Sequence, residues 1–405
     1  MKNEMSNVKK YCIYTTIYNV GFTFCSGALM QTFLLQAGFL ESQVYYLNSL
    51  MQFIQVAVML ALTFLSGKIK RVKMVSSISY LSLILLTAVF LMGAINPDSI
   101  KQGYVILVFI VAGASYVGVG LYTILSYCLP YYVVDMKEYG KMAGISVAIS
   151  GGASFVASLG YSFLLSKFSY MKTTAAFFIF SIICFILTSI VCASMREKTA
   201  KITKEQEKSD VIAVFKNKHT YILLLPNFAR GLSVGILNVI ATIAISATIL
   251  DETTSSYITV VLQIAAFLGN MFFAFSYKKL STKKLLLIAT IGASISFPFS
   301  LKLGALGFFL CFTAASFFRF VIDTAIPVII TEIIPEAEIG PYTSIRMLIF
   351  TAAQAVATLI IIPLENRIGY TGVLIFATVM LFICGIGYYA VAKSVNKSFE
   401  RSISN

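Results

Sequence analysis

Twelve apolar runs constrain this chain more than any other feature, falling at 11–38, 43–66, 74–95, 103–129, 143–166, 173–194, 219–249, 255–276, 285–302, 304–331, 343–364 and 371–392. Each is near the roughly 20 residues that an α-helix needs to cross ~30 Å of hydrocarbon. A bilayer interior offers the backbone no water, so such a run must close its own hydrogen bonds as a helix. Composition agrees: 58% of the residues are hydrophobic, only 12% are charged, and mean hydropathy is +0.87, far from the values of soluble domains. The expected fold class is an all-α membrane protein of twelve transmembrane helices.

The basic residues sit in short clusters between the runs, so the net charge of +14 reads as a topology signal before it reads as a binding patch, and no nucleic-acid partner is expected. With the N-terminus in the cytoplasm, 23 of the 31 Lys and Arg fall on the cytoplasmic side and five on the other, namely Lys101, Lys167, Lys172, Lys302 and Arg367. By the positive-inside rule both termini are cytoplasmic, and the expected location is the plasma membrane, with the lipid bilayer as surroundings. The first run is too long for the apolar core of a signal peptide and lacks a small-residue cleavage pattern. The seven cysteines show neither CxxC nor His-containing metal spacing and read as small core hydrophobes. His219, the only histidine, reads as an interfacial residue at a helix entry. No phosphate-binding G-x-x-x-x-G-K-S/T loop and no catalytic constellation is recognisable. No cofactor, metal or enzyme activity is expected.

The longest polar stretch, 195–218, follows the sixth run and divides the chain into an N-terminal six-helix half (1–194), a cytoplasmic linker (195–218), a C-terminal six-helix half (219–392) and a cytoplasmic tail (393–405). Pro130-Tyr-Tyr-Val-Val-Asp135 after the fourth run matches Pro327-Val-Ile-Ile-Thr-Glu332 after the tenth, and the basic loop 67–73 has a counterpart at 277–284. Both pairs join helices of the same direction, so the halves read as parallel repeats about an axis along the membrane normal.

On these features the chain resembles the major facilitator superfamily over nearly its whole length. Gly67-Lys68-Ile69-Lys70-Arg71-Val72-Lys73 is similar to that family's G-x-x-x-D-R-x-G-R-R/K loop, without its acidic residue. Tyr139-Gly140-Lys141-Met142-Ala143-Gly144 is similar to the R-G-R/K-x-x-G pattern that opens helix 5, with Tyr139 in place of the Arg. The helix 5 motif of many drug:proton antiporters, G-x-x-x-G-P-x-x-G-G, is absent, which tilts the reading toward uptake. The resemblance implies alternating-access transport. For the cytoplasmic gate, Asp135 and Glu138 are acidic partners for Arg71 in the basic loop, with Glu332 and Arg346 as candidates in the second half.

A carrier of this kind needs polar side chains around the midplane. Candidate substrate contacts are Asn19, Asn48, Gln52, Gln55 and Tyr122 in the first half, and Asn227, Arg230, Gln263 and Arg319 in the second. Asn48, Gln52 and Gln55 share one helical face, because spacings of four and three lie on one side of a helix. Intramembrane charges carry more weight, since a charge at the bilayer centre costs about 2.5–3.5 kcal/mol on insertion scales. In the tenth run, Phe317-Phe-Arg319-Phe-Val-Ile-Asp323-Thr-Ala-Ile-Pro327, Arg319 and Asp323 stand four residues apart. They either form a silent ion pair or act, with Asp323 as the coupling-ion site and Arg319 receiving an anionic or hydroxyl-rich solute. Arg230 lies about twelve residues into the seventh run, too deep to snorkel, whereas Arg346 lies only a few residues into the eleventh and is placed near the interface.

The function that follows is a secondary active transporter of a small polar solute, a sugar or organic anion, coupled to H⁺ or Na⁺. The alternatives are an efflux carrier for drugs or amphipathic metabolites, which the many aromatic residues fit, and a transport-inactive receptor or scaffold on the same fold.

Overall fold

The computed structural model describes residues 6–65, 72–96, 102–133, 136–196, 218–255, 257–276, 279–334 and 336–403. Within them the regular structure is all helical, without a strand. The helices are α1 (Asn7–Cys25), α2 (Gly27–Gln36), α3 (Glu41–Leu65), α4 (Val72–Ile95), α5 (Gln102–Val133), α6 (Met136–Leu165), α7 (Tyr170–Ser194), α8 (Lys218–Asn238), α9 (Ile240–Ser246), α10 (Glu252–Ser255), α11 (Tyr257–Ser276), α12 (Thr282–Ser296), α13 (Gly304–Ile333) and α14 (Glu336–Ile403). Seven are long and apolar enough to cross a membrane, or eight if the bent pair α8–α9 is one span. Large apolar side chains stay on the outside, Leu306 at 75% and Phe275 at 70% exposure among them. So many on one soluble molecule would be an aggregation hazard; on a chain with these helices they are a lipid-facing belt.

Three breaks were not evident in the apolar pattern. The first run divides between α1 and α2 at Ser26, which is extended, and Gly27, whose φ of +57° is a conformation favouring glycine. The seventh divides at Val239, where the axis bends by 51°. The last two runs form one helical stretch broken at a single residue, Gly369 (φ 67°, ψ 172°), where the sequence reading leaves a loop over 365–370.

The chain forms two compact units, Met1–Lys201 with Asp251–Gln263, and Ile202–Leu250 with Ile264–Asn405. In the first, α1 packs on α6 and α7, α4 on α5 and α7, and α3 on α5. Ser146, Ser150, Ser154 and Ser158, spaced by four along α6, are all buried, and Ser146 and Ser150 hydrogen-bond Thr15 and Asn19 of α1. Small residues at that spacing let two helices approach closely without leaving bulky gaps. The core of this unit is an aromatic stack: Tyr18 lies 4.4 Å from Tyr122 and 4.9 Å from Tyr80, centroid to centroid, and Tyr14 packs edge-on against Tyr80.

In the second unit α8 packs along α14, and α12 packs on α13 and α14. The α8–α14 contact is set by Gly231 and Gly235 facing Ala353 and Ala357: a Cβ added at Gly231 would lie 2.5 Å from the Ala353 Cβ, and one at Gly235 2.7 Å from the Ala357 Cβ. This four-residue register of small side chains brings the two backbones together. Hydroxyls within apolar helices bond back to their own turn, as Thr87 does to the Leu83 carbonyl, Thr290 to Leu286 and Thr378 to Leu374. Such bonds satisfy a polar group where no water is at hand.

Candidate functional site

The close register of α8 and α14 leaves Arg230, one residue before Gly231, at the helix contact and against α13. Its Nη2 lies 2.7 Å from Asp323 Oδ1, and its Nε donates to the same oxygen at 2.9 Å. The guanidinium also lies over the Phe350 ring of α14, 4.6 Å from the centroid, a cation–π contact worth on the order of 1 kcal/mol. Arg319, one turn before Asp323 on α13, approaches the other oxygen, with Nε 3.6 Å from Oδ2. That is too long for a hydrogen bond, and Arg319 Nε is buried without a hydrogen-bond partner. The side chains are 13% exposed for each Arg and 21% for Asp323. Asp323 is therefore bound to Arg230 and only approached by Arg319. Two guanidiniums against one carboxylate leave the cluster with a single net positive charge.

The backbone ladder of α13 is interrupted at Asp323. Pro327 stands inside α13, and a proline has no N–H to give to the carbonyl four residues earlier, which is that of Asp323. Next to it, Thr324 donates to Asn270 Oδ1 of α11 at 2.6 Å, holding α11 against this turn.

Arg346 is a buried residue of α14. It is only 8% exposed, and α14 begins at Glu336, ten residues earlier. Asn227 of α8, fully buried, donates to the Arg346 carbonyl at 2.7 Å. That amide ties α8 to α14, and its Oδ1 is buried without a hydrogen-bond partner.

The other predicted contacts belong to the first unit. Asn19 donates to Ser150 Oγ at 2.7 Å, Asn48 to its own helix at the Val44 carbonyl, and Gln55 to Thr123 Oγ1 of α5 at 2.9 Å. Gln52 Oε1 is buried without a partner, Tyr122 is part of the aromatic stack, and Gln263 is half-buried on α11. Of the gate candidates, Arg71 and Asp135 lie outside the described residues; Glu138 and Glu332 are in helices, with side chains outside the described set. Sequence reasoning missed the Arg230–Asp323 bond. Its available signal was Gly231-x-x-x-Gly235 opposite Ala353-x-x-x-Ala357, which predicts the α8–α14 contact that carries Arg230 into place. A cavity of about 430 Å³ lies among Ser246–Ile249, Leu301 and Ile368–Thr371; none of the charged residues lines it.

The fold is that of major facilitator transporters. The chain is similar to a major facilitator superfamily transporter, FucP, solved in the outward conformation, at 10% identity and a TM-score of 0.67, over 95% of this chain and 98% of that one. It is similar to a variant of the E. coli fucose:proton symporter FucP at 12% identity and a TM-score of 0.64, over 95% and 98%. It is likewise similar to the nucleoside transporter NupG at 14% identity and a TM-score of 0.65, over 96% and 99%. No family sequence profile and no curated protein sequence matches it. The chain is thus a multi-pass membrane protein with the major facilitator fold.

Proposed function

We propose that this protein is a secondary active transporter of a small polar solute, working by alternating access and coupled to protons through Asp323. The observation that carries the reading is the Arg230–Asp323–Arg319 cluster in otherwise apolar helices, at a cost that a merely structural contact between α8 and α13 does not require. The similarity to solute transporters of the same fold supports it.

With Asp323 ionised, Arg230 is engaged by two hydrogen bonds to one oxygen and Oδ2 carries none. Protonation at Oδ2 neutralises the carboxylate, loosens Arg230 and raises the local charge from one to two. A solute bearing hydroxyls or a negative group is then drawn to Arg319, whose planar fork gives directional donors. Loss of the proton re-forms the bond to Arg230 and expels the solute, so proton and solute travel together. Sodium fits less well, because two guanidiniums beside a single carboxylate repel a second cation.

The span count belongs to the same reading. We take the helical stretches as twelve crossings, with α1–α2 and α8–α9 as one broken span each and α14 as two spans meeting at Gly369. Each half opens with a broken helix, α1–α2 at Ser26 and α8–α9 at Val239, which supports two parallel repeats. The Lys and Arg distribution supports cytoplasmic termini in the plasma membrane.

Uptake of L-fucose, uridine and succinate into proteoliposomes, under imposed pH or Na⁺ gradients, tests the proposal. Accumulation of one of them driven by the pH gradient is expected. No accumulation of any, or accumulation driven by Na⁺ alone, contradicts it.

A further inference from the structure

Arg346 is a buried cation whose charge the Arg230–Asp323–Arg319 cluster does not use. Its Nε and Nη1 are buried without a hydrogen-bond partner, and no carboxylate among the described residues pairs with it. Leaving a guanidinium in this state costs several kcal/mol as an order of magnitude, which a protein sustains where the charge has work to do. One turn earlier on α14 is Tyr342, and beyond the break at Gly369 is Tyr388; both are 0% exposed, their hydroxyls close to one another and bonded to no other group. Tyr342 stands four residues before Arg346 on the same face of α14, and α8, which carries Arg230, packs along that helix. Three buried side chains thus bring hydrogen-bond donors to one place, with no acidic partner among the described residues to consume them.

We propose that Arg346, Tyr342 and Tyr388 form a site for an oxyanion, the carboxylate or phosphate group of the transported solute. The chemistry selects this class: a planar guanidinium pairs two oxygens at once, and phenolic hydroxyls add directed bonds that a halide uses less well. The site deepens the transporter reading and rests on it. It assigns an anionic solute rather than an uncharged sugar, with Arg319 contacting the polar body of the solute and Arg346 its anionic end. The Asn227 amide on the Arg346 carbonyl fixes this turn of α14 relative to α8, so the two basic positions keep a constant spacing.

The test uses the purified full-length protein in detergent, with melting followed by a thiol-reactive dye, since Cys12, Cys25, Cys184, Cys192 and Cys384 are buried and become reactive on unfolding. Succinate, inorganic phosphate, chloride and L-fucose are titrated at constant ionic strength. The expected result is stabilisation by succinate or phosphate, not by chloride or L-fucose, with affinity falling about ten- to a hundredfold in Arg346→Gln, the loss of one charge-assisted contact. Tyr388→Phe keeps the ring and loses only the hydroxyl, so it reports severalfold weakening even if Arg346→Gln fails to fold. Unchanged oxyanion affinity in either folded variant overturns the site. Equal stabilisation by chloride overturns the oxyanion assignment, and stabilisation by L-fucose alone overturns the anionic class. Failure of the transporter reading is separate: oxyanion binding that depends on Arg346, without gradient-driven flux in proteoliposomes, leaves a binding site on a protein that does not transport.

Discussion

Replacing Asp323 with Asn removes the only described carboxylate facing Arg230 and Arg319, and the geometry sets the scale of the damage. At an effective dielectric near 20, contacts of 2.7 Å and 3.6 Å correspond to gross attractions of about 6 and 5 kcal/mol, largely offset by the cost of desolvating the charges. What remains measurable is the penalty for stranding buried cations, about 3–5 kcal/mol when one partner of a buried pair is removed. Melting of the detergent-solubilised protein should fall by on the order of 10 °C. Arg230→Gln should cost less, because Asp323 keeps Arg319, which has only to close a gap from 3.6 Å. The double variant Arg230→Gln/Asp323→Asn should recover part of the loss, since it strands one guanidinium rather than two. Asp323→Asn melting with the wild type, or Arg230→Gln melting below Asp323→Asn, would refute this charge balance.

The remaining predictions concern the frame around the site. Gly231→Ala puts a methyl 2.5 Å from both the Ala353 Cβ and the Phe350 carbonyl oxygen, and should lower stability by about 1–3 kcal/mol in thermal melts while weakening transport, because α8 must move off α14. Arg346→Met removes a buried charge that no carboxylate among the described residues pairs, and should raise the melting temperature of the ligand-free protein while abolishing oxyanion stabilisation, a stability gain at the expense of function. Asp251, exposed at the start of α10, accepts the Thr254 N–H at 2.9 Å; its bonds from Thr254, side chain first and then backbone, hold its carboxyl below the usual range. A lowered folded-state value contributes stability above the ordinary carboxylate range that is lost as pH falls through the folded value. Asp251→Ala should therefore lower melting slightly at neutral pH, with the difference vanishing in strong acid.

The helices and the charged turn of α13 were legible because both are local. Apolar length fixes a membrane helix, and a spacing of four puts Arg319 and Asp323 on one face. The true partner of Asp323 was not legible as a pair, because Arg230 is 93 residues away in sequence and only helix packing brings it there. The burial of Arg346 was not legible for a related reason: the apolar run begins near it, but the helix begins ten residues earlier, and burial follows helix packing. The amides of the first half showed their polarity in the sequence but not their use, since Asn19, Asn48 and Gln55 each spend a donor on a neighbouring hydroxyl or carbonyl. Tyr122 reads as a hydrogen-bonding group in isolation; its packing against Tyr18 and Tyr80 comes from helix contacts that the sequence does not show.

The most direct test of the central claim is proton movement driven by the solute itself. Proteoliposomes holding a pH-sensitive dye, with no imposed pH or Na⁺ gradient, are given an inward gradient of the solute identified by the uptake panel. The account predicts that the wild-type lumen acidifies as solute enters, and that Asp323→Asn carries solute down its gradient with no acidification. Acidification by Asp323→Asn at the wild-type rate per solute would contradict it.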